Sequence, residues 1–242
     1  DAPFDPWIVD RELQEYDSVD KIVVPSSGSR ESFLRRGHSA ERLEINRYGA
    51  DLRLFSPAHP DSRDMQRIVC VANPSLQKGH PYLLQAYASV RGQGTSLELL
   101  GQRQQSMNHL SHLFAGEDVM EPGRFGARGV ADRLRSAGIF ALASVHEGFG
   151  MVVLEAMASG LPVVVSDATG AADLVEDGVN GFVVPARDAA AMAARFDTLL
   201  SDPSMARDMG AEGAARVARM GGWSDYGSRS AAIVAGLSGP LP

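Results

Sequence analysis

Residues 138–162 read GIFALASVHEGFGMVVLEAMASGLP. Ile139 to Ala143 is an apolar run with the length and composition of a buried strand. Ser144-Val145-His146-Glu147-Gly148-Phe149-Gly150 then turns, its two glycines permitting a backbone that most residues resist. From Gly150 or Met151 the pattern is helical, with Met151, Leu154, Met157 and Ala158 near one face. Gly160 and Pro162 stop the helix, and Val163-Val164-Val165 starts another strand.

A strand, a glycine-bearing turn and a helix whose first amides point at the turn make an anion site. Glu147 in the turn and Glu155 in the helix frame it. Carboxylates repel phosphate, so they read as acceptors for hydroxyls, while the amides between them take the negative charge. A sugar nucleotide, with both phosphate and hydroxyls, fits that arrangement.

Outward from this stretch, strands are expected near 67–72, 96–100, 118–121, 139–143, 162–166 and 181–184. Helices are expected near 79–91, 104–114, 129–136, 150–159, 170–176, 188–200 and 203–219, with a last one near 223–235. The alternation predicts an α/β fold, a doubly wound, Rossmann-like parallel sheet with helices on both faces. Ligands of such sheets bind beyond the strand C-termini, which selects the turn 144–150 again. Upstream, helices near 11–17 and 29–36 and strands near 21–25 and 42–45 form a fragment too small to bury a core alone. Residues 56–67, carrying Pro57, Pro60 and several charges, read as a linker.

Among 242 residues, 44% are apolar and 22% charged, ordinary values for a soluble globular chain. The net charge of -7 and the lack of a basic cluster argue against nucleic acid as a partner. No apolar run has the length of a membrane span, and the first residues lack the pattern of a signal peptide. The single cysteine, Cys70, sits in the apolar run 68–71 and reads as a reduced core residue; a cytoplasmic setting is the simplest fit. His109 and His112, spaced i, i+3, lack a nearby third ligand, and no D-x-D is present, so no metal site is expected. The phosphate-binding signatures of nucleoside triphosphatases and dinucleotide enzymes are absent too.

Glu147 and Glu155, in EGFGMVVLE, match the E-x7-E motif of retaining GT-B glycosyltransferases, especially glycosyltransferase family 4. SVHEGFG, LEAMASGLPVVVSDATG and LVEDGVNGFVVPARD also resemble that family, and the likeness covers roughly residues 10–235. The resemblance implies a GT-B fold with an incomplete first domain: residues 1–62 a remnant of the sugar-accepting domain and linker, 63–221 the nucleotide-sugar domain, 222–242 a crossover helix and tail. It implies metal-independent transfer of a sugar, with retention, from a nucleoside-diphosphate donor to a hydroxyl of a saccharide, lipid or small molecule, without a further cofactor. Peripheral membrane association stays open.

By the same resemblance Glu155 accepts from ribose hydroxyls and Glu147 reaches the donor sugar or the reacting face. A helix-capping role for Glu147 is the alternative. Gly148, Phe149, Gly150 and Met151 act through backbone amides. Lys78, in Lys78-Gly79, matches the lysine of the family's phosphate clamp and stabilises the leaving diphosphate. Asn73 stands where the clamp arginine is expected, so either another arginine such as Arg124 substitutes or the clamp is weaker. His146 is open between a ligand contact and none. The rival functions are a non-catalytic sugar-nucleotide-binding module and a GT-B epimerase or phosphorylase.

Overall fold

The computed structural model describes residues 5–59, 62–92, 94–116 and 118–237. Helix α1 (Pro6–Ser18) starts earlier than the sequence pattern suggested. Asp5 caps it by accepting from the Trp7 amide at 3.0 Å, and Pro6 occupies the first turn, where a missing amide costs nothing. Strand β1 (Ile22–Val24) leads to α2 (Ser27–Arg35), whose N-cap, Ser26, accepts from the Ser29 amide. Strand β2 (Leu43–Ile45) pairs with β1 in parallel. Its small apolar cluster consists of the buried Ile22, Val24 and Leu43, packed against Tyr16, Phe33, Leu34 and Ile45. Val23 and the α1 residues Trp7, Ile8, Val9 and Leu13 face solvent.

The main sheet comprises β3 (Asp64–Val71), β4 (Ser96–Leu100), β5 (Val119–Gly123), β6 (Ala137–Leu142), β7 (Val163–Ser166) and β8 (Gly181–Val184). All six are parallel, in the order β5-β4-β3-β6-β7-β8. The connections include α3 (His80–Val90), α4 (Ala127–Ser136) and α5 (Met151–Ala158), and β8 is followed by α6 (Ala189–Ser201), α7 (Pro203–Met220) and α8 (Trp223–Leu237). Strands covered on both faces have no polar side to show, so β6 and β7 are buried at every position.

Three expectations need correction. β3 begins at Asp64, inside the expected linker, because its polar start still pairs with the beginning of β6, Asp64 opposite Ala137. Two expected helices are 3-10 segments. Gln105–Phe114 is broken by non-helical geometry at Leu110, and Gly170–Leu174 lacks a side-chain N-cap. The linker residues 60–61 and the tail residues 238–242 lie outside the described residues.

The N-terminal unit is fastened to the rest by backbone and by α8. Ala50 bridges Gly222, and at Gly49 any Cβ would overlap the Gly222 backbone. The Asn46 Nδ2 donates to Ser230 Oγ at 2.8 Å, and Arg229 Nε donates to Asn46 Oδ1 at 3.0 Å. No helix among the described residues is long and apolar enough to cross a membrane.

Candidate active site

Crossovers on either side of β3 and β6 run in opposite directions across the sheet, which leaves a crevice beyond their C-terminal ends. The loop after β3 carries Lys78, and the turn after β6 carries Glu147. Gly79 makes their approach feasible. It holds a left-handed φ of 68°, and a side chain there would overlap the Ala143 carbonyl oxygen. The Val145 amide donates to the Gln77 carbonyl at 2.9 Å, stitching the two loops together. The Lys78 ammonium and Glu147 Oε2 form an ion pair, with side chains 31% and 18% exposed.

The turn is braced from two directions. The Glu147 amide donates to Ala168 O at 3.0 Å, and the Gly170 amide donates to Glu147 O at 2.9 Å. From α2, the hydroxyls of Ser26 and Ser29 donate to Gly148 O at 2.8 and 3.1 Å. Gly150 then takes φ 86° and starts α5 with no side chain capping it. Glu147, paired with Lys78, therefore does not cap the helix. The first amides of α5, at Met151 and Val152, lie where a helix leaves donors without internal partners. The Phe149 ring is buried and packs edge-on against Tyr48, centroids 5.2 Å apart, so only its backbone is offered to the crevice.

On α5, Leu154, Met157 and Ala158 are buried as the helical pattern expects, but Met151 is 37% exposed. Met151 and Glu155, at i and i+4, share the outer side instead. The Glu155 side chain has no hydrogen-bond partner or counter-ion among the described residues, and burial pushes its pKa up to about 7. The two glutamates of the spacing thus differ: Glu147 has a cation and Glu155 has none.

The family model for glycosyl transferases group 1 matches residues 55–216. The chain belongs to that family. It is 30% identical over 244 residues to the D-inositol 3-phosphate glycosyltransferase of Pseudarthrobacter chlorophenolicus, covering 92% of this chain and 57% of that protein. Sucrose-phosphate synthase of Thermosynechococcus elongatus superposes with a TM-score of 0.83 at 26% identity, over 96% of this chain and 62% of that one. HepE of Anabaena, solved with UDP-glucose, superposes with a TM-score of 0.81 at 21% identity, over 90% and 64%, a likeness of fold. The architecture is that of the GT-B glycosyltransferases. The chain spans about half the length of the curated relatives it matches.

Other expected site residues of this glycosyltransferase-family chain are dispersed. Asn73, two residues past β3, accepts from the Gln102 amide at 3.0 Å and so joins the loops that leave β3 and β4. Arg124 follows β5, two strands from β3, and is exposed. Arg103, not among the expected site residues, follows β4, the strand next to β3. Its guanidinium pairs with Glu121 and lies over the Phe114 ring at 3.8 Å. His146 and Glu147 line a cavity of about 520 Å³ between α2 and residues 167–173; Lys78 and Glu155 do not. Ser26 and Ser29, which grip the turn from α2, were also missed as site residues. Their only sequence signal was an N-cap pattern.

Proposed function

We propose that this chain is the donor-binding part of a retaining, metal-independent GT-B glycosyltransferase of family 4. The observation that carries the reading is the coincidence, at one switch point, of the Lys78–Glu147 pair with the uncapped start of α5 and the unpartnered Glu155. A nucleoside diphosphate has a use for each. Its diphosphate takes the amides of Gly148 to Met151 and the Lys78 ammonium, which then shares its contact with Glu147. Its ribose hydroxyls donate to Glu155, whose carboxylate is otherwise costly in its buried place. Glu147 accepts from hydroxyls of the donor sugar.

As the glycosidic bond breaks, negative charge grows on the leaving diphosphate, where Lys78 and the helix amides are already in place. The sugar-accepting hydroxyl enters on the face the diphosphate leaves and gives its proton to that phosphate, which retains configuration. The chain supplies orientation and charge, and no metal is required. UDP-glucose in HepE supports a nucleotide sugar as donor.

A non-catalytic sugar-nucleotide-binding module is the second reading, favoured by the small N-terminal unit, whose own apolar cluster has three buried residues. Donor hydrolysis and transfer assays, with and without an added N-terminal segment, separate the two. The chain alone is expected to bind donor and transfer little or no sugar, with transfer restored by the segment. Donor binding with no transfer even in the presence of the segment would favour the module.

A further inference from the structure

Four arginines from three parts of the fold converge on one cavity that none of Lys78, Glu147 or Glu155 lines. Its volume is about 460 Å³, and its walls include Ile45 at the end of β2, Arg47 just beyond it, Asp173, Arg216 and Arg219 near the end of α7, and Arg229 of α8. Asp173 is the one carboxylate among these walls, and it is already engaged. It accepts from the Ser27 amide at 2.7 Å, from the Ser27 hydroxyl, and from Arg47 at 3.1 Å.

Two of the guanidinium groups are held rigidly. Arg229 donates to Asn46 Oδ1, to Met220 O at 3.2 Å and to Arg47 O at 2.9 Å. Arg47 keeps a buried Nε with no acceptor. The other two are arms with little to hold. Arg216 comes no nearer than 3.9 Å to Glu176, whose side chain is 63% exposed. The Arg219 side chain makes no hydrogen bond or ion pair among the described residues. The carbonyls ending α7 account for one basic residue in its last turn, but not for cations converging from β2 and α8 as well. Gathered like charges repel, and an oxyanion relieves the repulsion while filling the forked donors.

We propose that this cavity binds the phosphoryl group of a phosphorylated small molecule or phospholipid headgroup, tying the end of β2 to α7 and α8. The site is separate from the donor crevice and does not rest on the reading given for it. Calorimetric titration of the full chain with inorganic phosphate at low ionic strength tests it. Phosphate is expected to bind wild type and Lys78→Ala alike. The double variant Arg216→Ala/Arg219→Ala is expected to bind it at least tenfold more weakly, with its UDP binding and circular dichroism unchanged. In a second arm, phosphatidylcholine vesicles containing phosphatidic acid replace phosphate. Arginine-dependent binding to the vesicles alone marks a lipid source, and to phosphate a soluble one; either supports the site. Folded wild-type chain that ignores both probes, or a double variant that binds as wild type does, overturns the proposal. Loss of phosphate binding in Lys78→Ala also overturns it, by moving the anion to the donor crevice. Failure of UDP to bind at all counts against the donor reading and leaves the phosphate result standing.

Discussion

Replacing Glu155 with glutamine is expected to stabilise the unliganded chain while weakening its grip on nucleotide. Burial raises the Glu155 pKa from 4.5 to about 7. An acid whose pKa rises on folding holds its proton more tightly in the folded state, so ionising it works against the fold. That penalty is absent below pH 4.5, grows as the pH rises to about 7, and stays constant above. At about 1.4 kcal/mol per pKa unit the full shift has an upper bound of about 3.4 kcal/mol. The carboxyl keeps some contact with water, which reduces this to about 2 kcal/mol. For a chain of this size that is about 4–8 °C in Tm. Scanning calorimetry without ligand should show Glu155→Gln melting above wild type by that amount at pH 8, and no gap at pH 4.5. Equal melting at both pH values would refute the reasoning, as would the same gap at both. With saturating UDP the order should narrow or reverse, because glutamine also brings a donor to hydroxyls that need an acceptor.

Lys78→Ala should weaken UDP binding about 10- to 100-fold, the loss of one charge-assisted contact, and leave uridine binding nearly unchanged. Parallel titrations check this, and equal losses for both ligands would place Lys78 away from the diphosphate. Gly79→Ala forces a side chain into the Ala143 carbonyl at a left-handed φ, so Tm should fall by at least about 4–8 °C, the equivalent of about 2 kcal/mol. Gly178→Ala is the control. It has a similar φ of 79° with open space around the Cβ position, and it should lose no more than half as much.

The sheet was legible because buried parallel strands read as unbroken apolar runs. Ile139 to Ala143 and Val163 to Val165 allow little else. β3 was read short at its start because Asp64 and Gln66 are polar, although the Asp64 backbone already pairs beside β6. The 3-10 segments were read as α-helices because apolar spacing over one or two turns does not separate the two. At the site, Glu147, Glu155 and Lys78 were visible through the resemblance, and the strand order explains why residues 69 positions apart meet. The grip of Ser26 and Ser29 on Gly148 was not visible, since it depends on how α2 docks. Nor was the arginine cavity, whose members at 47, 216, 219 and 229 follow no local pattern.

The most direct test of a donor site at this switch point is calorimetric titration of the chain with UDP and with GDP in EDTA, for wild type and Glu155→Ala. At least one nucleotide should bind wild type with 1:1 stoichiometry. Loss of the carboxylate that accepts its ribose hydroxyls should cost about 1.5–3 kcal/mol, roughly ten- to a hundredfold in Kd. Binding that requires a divalent cation, or a Glu155→Ala variant that binds as tightly as wild type, would contradict the site described here.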